Sequence, residues 1–398
     1  MEIPKILGGE PVRKKPFPSW PIFDEKEREL LLKVLESGRW GVGGKLQEEF
    51  ENKFAEFQDA KYALLCSSGT TALKIALKAM GISPGDEVIV PSYTFIGTAT
   101  AVLDLNANIV YADICPETYT IDVENLKNKI TEKTKVVIPV HFAGRPADMD
   151  AVKEFAEQHN LMVLEDAAQA HGAEWRNRRV GALGDAGAFS FQSSKNITAG
   201  EGGAVTTDDD EIASIAWSLR NVGRPRGGPW YEHRLFGWNY RITEWQAAIL
   251  LAQLERAPKL MEKRDSSARY LDKLLGEVDG VEPLKSDPRI TRHAYHLYVF
   301  RYDPSQFNGL DKELFIQSLR EEGIPCNSGY RPLYSYTFLP KSKPLPNTEK
   351  AAYIEAVWIP QPVLLAEKED LEDVIIAIKK IKKYSKKIKE ECKTFSAR

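Results

Sequence analysis

The stretch Ala186-Gly187-Ala188-Phe189-Ser190-Phe191-Gln192-Ser193-Ser194-Lys195-Asn196-Ile197-Thr198-Ala199-Gly200-Glu201-Gly202-Gly203-Ala204-Val205 decides the reading of this chain. A short apolar run gives way to polar residues and a single lysine. A glycine-rich turn follows, then a second apolar run, Ala204–Thr207. The pattern predicts a strand, an exposed corner and a second strand. Stripping water from an ammonium is expensive, so a lysine between two buried strands either snorkels to solvent or is covalently employed. Lys195 fits a Schiff-base lysine and a solvated loop lysine equally well.

Upstream lies Leu161-Met162-Val163-Leu164-Glu165-Asp166-Ala167-Ala168-Gln169, an apolar run ending in an acid and then small residues. A buried acid at a strand's C-terminal end, followed by a strand-borne lysine, suits pyridoxal phosphate (PLP). The lysine would capture the aldehyde and the acid would keep the ring nitrogen protonated, so that the ring accepts electrons. Asp166 fits the N-cap of a following helix as well.

A chain of 398 residues holds about two domains. Its net charge of −3 comes from interspersed acids and bases, which predicts no nucleic-acid stripe. The basic segment 379–389 reads as a solvated helix face. Cys66, Cys115, Cys326 and Cys392 are scattered, without the spacing of a zinc site or a disulfide framework. The N-terminal residues lack a signal-peptide core, and no apolar run approaches membrane-spanning length, so a reduced cytoplasm is the expected location.

Residues 1–22 read as an extended arm. Helices are predicted from an Asp24 cap through Ser37 and over Gln47–Phe57, separated by a flexible loop at 38–44. Alternation then begins. Strands are predicted at Tyr62–Cys66, Glu87–Val90, Asn108–Ala112, Val136–Val140 and Leu161–Leu164. Helices between them are predicted at Thr71–Met80, Phe95–Leu105, Asp122–Ile130 and Asp148–His159. The pattern predicts an α/β fold, a mostly parallel sheet with helices on both faces, whose ligands lie beyond the strands' C-terminal ends.

Ser67-Ser68-Gly69-Thr70 falls at such an end. Small hydroxyl residues and glycine at a helix N-terminus offer free N–H groups to a phosphate, and they also make an ordinary capped turn. No Walker A or dinucleotide fingerprint occurs. A helix is predicted over Asp208–Arg220. The aromatic loop from Arg220 to Tyr240 is dense enough in rings to pack against something, such as a second subunit. A long helix from Thr243 continues past Pro258 to about Leu275. Beyond it the pattern is α+β: a strand at Tyr295–Arg301, a helix at Lys312–Glu322, a tyrosine-rich loop at Ser328–Leu339 and a helix over Asp370–Lys387. This predicts a large unit at 1–255, including the arm, and a smaller C-terminal unit at 256–398.

Together, Ser67–Thr70, Pro91–Phe95, Glu165–Gln169, Phe189–Lys195, Gly200–Gly203 and Trp238-Asn239-Tyr240-Arg241 resemble, in order and spacing, the DegT/StrS family of PLP-dependent sugar aminotransferases of fold type I. The likeness runs from about Gly8 into the C-terminal unit. It looks closest to the ketocyclitol aminotransferase and aminohydroxybenzoate synthase branch. The resemblance implies that Lys195 binds the cofactor and shuttles a proton, and that Asp166 pairs with the ring nitrogen. Phe95 would lie against the ring and Gln169 beside its phenolic oxygen. Ser68, Gly69, Thr70 and Ser190 would hold the phosphate. Asn239 would reach the phosphate of a neighbouring subunit, which implies a homodimer with shared sites.

Some family members carry histidine at the position of Lys195 and act as dehydratases; lysine here implies transamination. Glutamate or glutamine is the implied amino donor. The implied acceptor is a keto-sugar, often nucleotide-linked, or a ketocyclitol. A dehydratase or an aromatising synthase on the same scaffold is the alternative. His296, Tyr330, Arg331, Tyr334 and Trp238 read equally as substrate contacts and as packed loop residues.

Overall fold

The structure, a computed structural model, describes residues 3–41, 44–126 and 129–392. Parts of the expected arm, of the loop 38–44 and of the helix expected at Asp122–Ile130 lie outside them.

Two helices open the fold, α1 (Glu25–Ser37) and α2 (Leu46–Phe57). Asp24 caps α1 in a capping box with Glu27. Alternation follows: β1 (Tyr62–Cys66), α3 (Gly69–Ala79), β2 (Glu87–Pro91), α4 (Ile96–Leu103), β3 (Asn108–Ala112), β4 (Thr134–Val137), α5 (Met149–His159) and β5 (Met162–Asp166). A short hairpin, β6 (Glu174–Trp175) and β7 (Arg178–Arg179), precedes β8 (Ala186–Ser190), β9 (Gly203–Thr207) and α6 (Asp210–Arg220). The helix expected from Asp122 is only a turn at Glu124–Leu126 among the described residues. Asp122 accepts from the Glu124 N–H, a local bond that competes with helix formation.

The seven-stranded sheet has the order β1-β9-β8-β5-β4-β2-β3. Only β9 runs antiparallel to its neighbours. Burial on both faces explains the continuous apolar strands. Helices α3, α4 and α6 cover one face; Phe50, Phe54 and α7 (Glu244–Leu275) pack on the other with Phe189 and Phe191. Because β9 is reversed, its first residue, Gly203, lies at the same rim as Cys66 and Ser190, its partners in register. The lysine corner between β8 and β9 therefore sits where the parallel strands end.

Helix α7 passes Pro258 without a break and joins two cores. Its first half packs under the large sheet, and Ala268, Leu271 and Leu275 belong to a second core. That core contains β10 (Val281–Pro283), β12 (Leu297–Tyr302), β13 (Ala356–Pro360), α8 (Lys312–Glu321) and α10 (Lys368–Cys392). Strand β11 (Ile290–Arg292) instead joins β6 and β7, and α9 (Pro346–Lys350) is a short helix. Strands β10, β11 and β13 were not foreseen: β10 and β11 have only three residues each, and β10 and β13 end in proline.

The N-terminal arm, grouped by sequence with the large unit, is fastened to the second core. Glu322 accepts the backbone N–H groups of Lys5 and Val12, each at 2.8 Å, and Arg13 pairs with Asp370 and Asp373. Lys380 is buried beneath the arm against Glu322 at 3.0 Å, so the basic face of α10 is not wholly solvated as expected. No described helix is long and apolar enough to cross a membrane.

Candidate active site

A cavity of about 1090 Å³ opens at the C-terminal rim of the sheet. Four features line it: Lys195 on the corner, Asp166 at the end of β5, the start of α3, and Ser190 at the end of β8.

The corner is held from below. The Phe191 N–H donates to Gly202 O at 2.8 Å, and Asn196 Nδ2 donates to Ala294 O at 2.6 Å. Asn196, Ile197 and Thr198 are buried, so the chain can hold Lys195 between exposed Ser194 and a packed base. Lys195 is partly buried. Loss of solvation pulls its ammonium down to about 8, while the nearby Asp166 carboxylate opposes the shift.

Asp166 is buried, and burial pushes its carboxyl above the ordinary range. Opposing this, Thr98 Oγ1 donates to Asp166 Oδ2 at 2.7 Å and the Ala168 N–H donates to Oδ1 at 3.2 Å. Asp166 therefore acts as a pocket acid and also closes a local turn. Its neighbour Glu165 points to the other side of β5. It accepts N–H groups from Gly181, Leu183 and Gly184 at 2.7–2.8 Å and pairs with His141 Nε2 at 2.9 Å. Burial pushes Glu165 up, but these donors outweigh it and hold the carboxyl below its ordinary value.

Ser68 caps α3, accepting from the Thr71 N–H at 3.2 Å. The N–H groups in a helix's first turn have no intrahelical partner, so Gly69 and Thr70 present donors to the cavity. Gly69 allows a close approach: a Cβ there would lie 2.7 Å from Ser190 Cβ. A Cβ on Gly203 would lie 2.3 Å from Ser68 O, so β9 passes this loop only without a side chain.

Gln169 also lines the cavity. Its Oε1 accepts from the Ala143 N–H at 2.8 Å and its Nε2 donates to Tyr330 OH at 2.9 Å, which fixes the amide. Tyr330 meets Trp358 edge-on, with ring centroids 4.6 Å apart. Phe95, 56% exposed, and buried His296 complete the expected residues at this site.

Four expected residues do not line the cavity. Tyr334 turns away: its hydroxyl donates to Glu349 at 2.8 Å and accepts from the Leu345 N–H at 3.0 Å. Trp238 stacks on Tyr240, and the Lys74 ammonium lies 4.1 Å from its ring centroid. Arg331 and Asn239 are exposed on loops. In compensation, Trp20, Thr98 and Gln361 line the cavity, and no local pattern announces them. Thr98 sits inside a helix of small residues, Gln361 follows a strand that was not foreseen, and Trp20 lies in the arm.

The residues present fit PLP. The rim offers backbone and hydroxyl donors suited to a phosphate, a lysine that is easily neutralised, and a buried carboxylate for a protonated ring nitrogen.

Comparison with known proteins agrees. A family model described as the DegT/DnrJ/EryC1/StrS aminotransferase family matches residues 21–379. The chain is 39% identical to the 3-amino-5-hydroxybenzoate synthase of Amycolatopsis mediterranei, covering 90% of this chain and 96% of that one. It is 34% identical to the L-glutamine:2-deoxy-scyllo-inosose aminotransferase of Micromonospora echinospora, covering 96% and 98%. The crystal structure of a 3-amino-5-hydroxybenzoic acid synthase superposes with a TM-score of 0.86 at 38% identity, covering 92% of this chain and all of that one. This chain belongs to the DegT/DnrJ/EryC1/StrS aminotransferase family.

Proposed function

We propose that the protein moves the amino group of glutamine or glutamate to the carbonyl of a ketocyclitol or keto-sugar, with PLP as cofactor. The observation that carries this reading is the shared cavity of Lys195 and Asp166, an amine drawn down to about 8 beside a buried acid. The inosose aminotransferase relative supports glutamine as donor and a cyclitol as acceptor.

In this reading Lys195 binds the cofactor and Asp166 faces its ring nitrogen. Ser68, Gly69, Thr70 and Ser190 hold its phosphate, Phe95 lies against the ring, and Gln169 sits beside its phenolic oxygen. Bound PLP supplies the electron sink that allows the donor's Cα–H bond to break. Lys195 Nζ, free and neutral once the donor is bound, would take the Cα proton and pass it to the cofactor within the first half-reaction, and would carry a proton the opposite way, to the acceptor carbon, in the second. Thr98 holds the orientation of Asp166 throughout.

The working unit is a homodimer. Trp230, Tyr231 and Phe236 are 55%, 85% and 84% exposed on the loop before α7, a cluster suited to burial by a second copy. In that assembly Asn239 reaches the phosphate seat of the neighbouring site.

A second reading, an aromatising synthase on the same scaffold, is supported by the likeness to a 3-amino-5-hydroxybenzoate synthase, whose named product is an aromatic acid. One experiment separates the readings. The purified protein should show a visible PLP band that is absent from Lys195→Ala. Adding glutamine or glutamate should bleach it. A ketoinositol or nucleotide-linked keto-sugar should then restore it and yield an amine. A band unmoved by every amino donor would exclude transamination.

A further inference from the structure

One part of the cavity wall carries hydrogen-bond donors without acceptors. Gln361, 1% exposed, lines the cavity. Its Oε1 accepts from Arg264 Nε at 2.8 Å, which turns its Nε2 away from Arg264 and leaves it without a partner. Trp20 Nε1 and His296 Nδ1, both on cavity-lining residues, are also unpartnered among the described residues.

Behind this wall stands Arg264, fully buried within α7. The Trp20 ring centroid lies 5.0 Å from its guanidinium carbon. Its Nη1 and Nη2 have no partner, and no nearby acid offsets the cost of its burial. Leaving even one buried donor unmade is costly, and an unpaired buried charge more so. A cluster of such groups around a cavity marks a place that a ligand completes.

The chemistry of the missing group follows from the donors. The Gln361 amide and the indole N–H can only donate at these atoms, and an uncompensated cation lies behind them. Their complement is an anion with two acceptor oxygens. The phosphate seat lies elsewhere, at the start of α3. His296 feels the charges of both Lys195 and Arg264, so this wall borders the lysine. Of the groups the proposed reaction brings there, the α-carboxylate of the amino donor is anionic and adjacent to the reacting amine.

We propose that Gln361 and Trp20 form the subsite for the α-carboxylate of the amino donor, with Arg264 behind them as a positioning residue. This rests on the aminotransferase reading above. Arg264 fixes which end of the Gln361 amide faces the cavity and adds a positive potential through it. Arg331, one of the substrate contacts expected from sequence, is exposed and does not line this cavity.

The test titrates the PLP-loaded protein with L-glutamine and with L-glutaminamide, whose α-carboxylate is an uncharged amide, following loss of the visible band. The wild type is expected to bind glutamine about tenfold to a hundredfold more tightly than the amide, the range for charge-assisted hydrogen bonds. In Gln361→Leu and Arg264→Met this preference collapses: glutamine affinity falls about tenfold or more, while that of glutaminamide, whose uncharged carbonyl is the weaker acceptor, falls much less. Gln361→Glu, which still accepts from Arg264, guards against misfolding and should select against glutamine outright. Variants that retain the preference, or that lose both ligands in parallel, overturn the subsite. A wild-type band unmoved by either amine or by glutamate overturns the aminotransferase reading itself, and the subsite with it.

Discussion

Thr98 donates its hydroxyl proton to Asp166 Oδ2 across 2.7 Å, from a helix to the end of a strand, with both residues buried. It is the shorter of the two hydrogen bonds that oppose the effect of burial on this acid. Thr98→Val keeps the shape and removes the donor. The Asp166 carboxyl should move further up, PLP affinity should fall about tenfold, and stability should drop by about 1–2 kcal/mol. Equilibrium titration of the apoprotein with PLP, and urea denaturation, measure these; unaltered PLP affinity would show that Thr98 does not matter to the acid.

Lys195 gives a pH signature. Only its free base attacks an aldehyde, and its pKa is drawn from 10.5 to about 8. The rate of PLP capture by the apoprotein should rise about tenfold per pH unit below 8 and level off above it. Stopped-flow absorbance reads this directly; a rate still climbing at pH 10 would mean an ordinary, solvated lysine. The linkage has a definite sign. The folded state releases this proton more readily than the unfolded state, so the lysine's contribution to stability grows as pH rises from about 8 to 10.5.

Gly69 is a steric requirement. The Cβ of Gly69→Ala would meet Ser190 Cβ at 2.7 Å, closer than carbon atoms approach. The α3 start must shift away from β8, which should cost about 1–3 kcal/mol of stability and weaken PLP binding. Chemical denaturation with and without PLP separates the two effects.

Glu165 should matter to folding rather than to chemistry. Glu165→Gln places an amide N–H₂ among three backbone donors and His141, leaving at least one of them unmade. A loss of about 2–3 kcal/mol is expected, read from the denaturation midpoint, while folded protein still binds PLP.

Much of this site was legible in the chain because its signals are local. Ser68, Gly69 and Thr70 are a cap and a helix start, both written within a few residues. The alternation of strands and helices sets which ends converge, and Lys195, Asp166 and Ser190 follow from it. The tyrosine-rich loop resisted such reading. Tyr330 and Tyr334 look equivalent in sequence, yet one meets Gln169 and the other Glu349.

What the sequence alone determined is the alternation of strands and helices in the large sheet, its buried strands, and the placing of Lys195 and of the pair Glu165-Asp166 at the sheet's rim. It could also place Glu165 and Asp166 on opposite faces of β5, since strand side chains alternate. Only the tertiary structure decided which face is the pocket, because that depends on the partners each face meets: His141 and the 181–184 turn for one, Thr98 for the other. It also decided that Arg264, one arginine among many polar residues of a long helix, is buried between Trp20 and Gln361. Those neighbours come from distant parts of the chain, and no local pattern records that they meet.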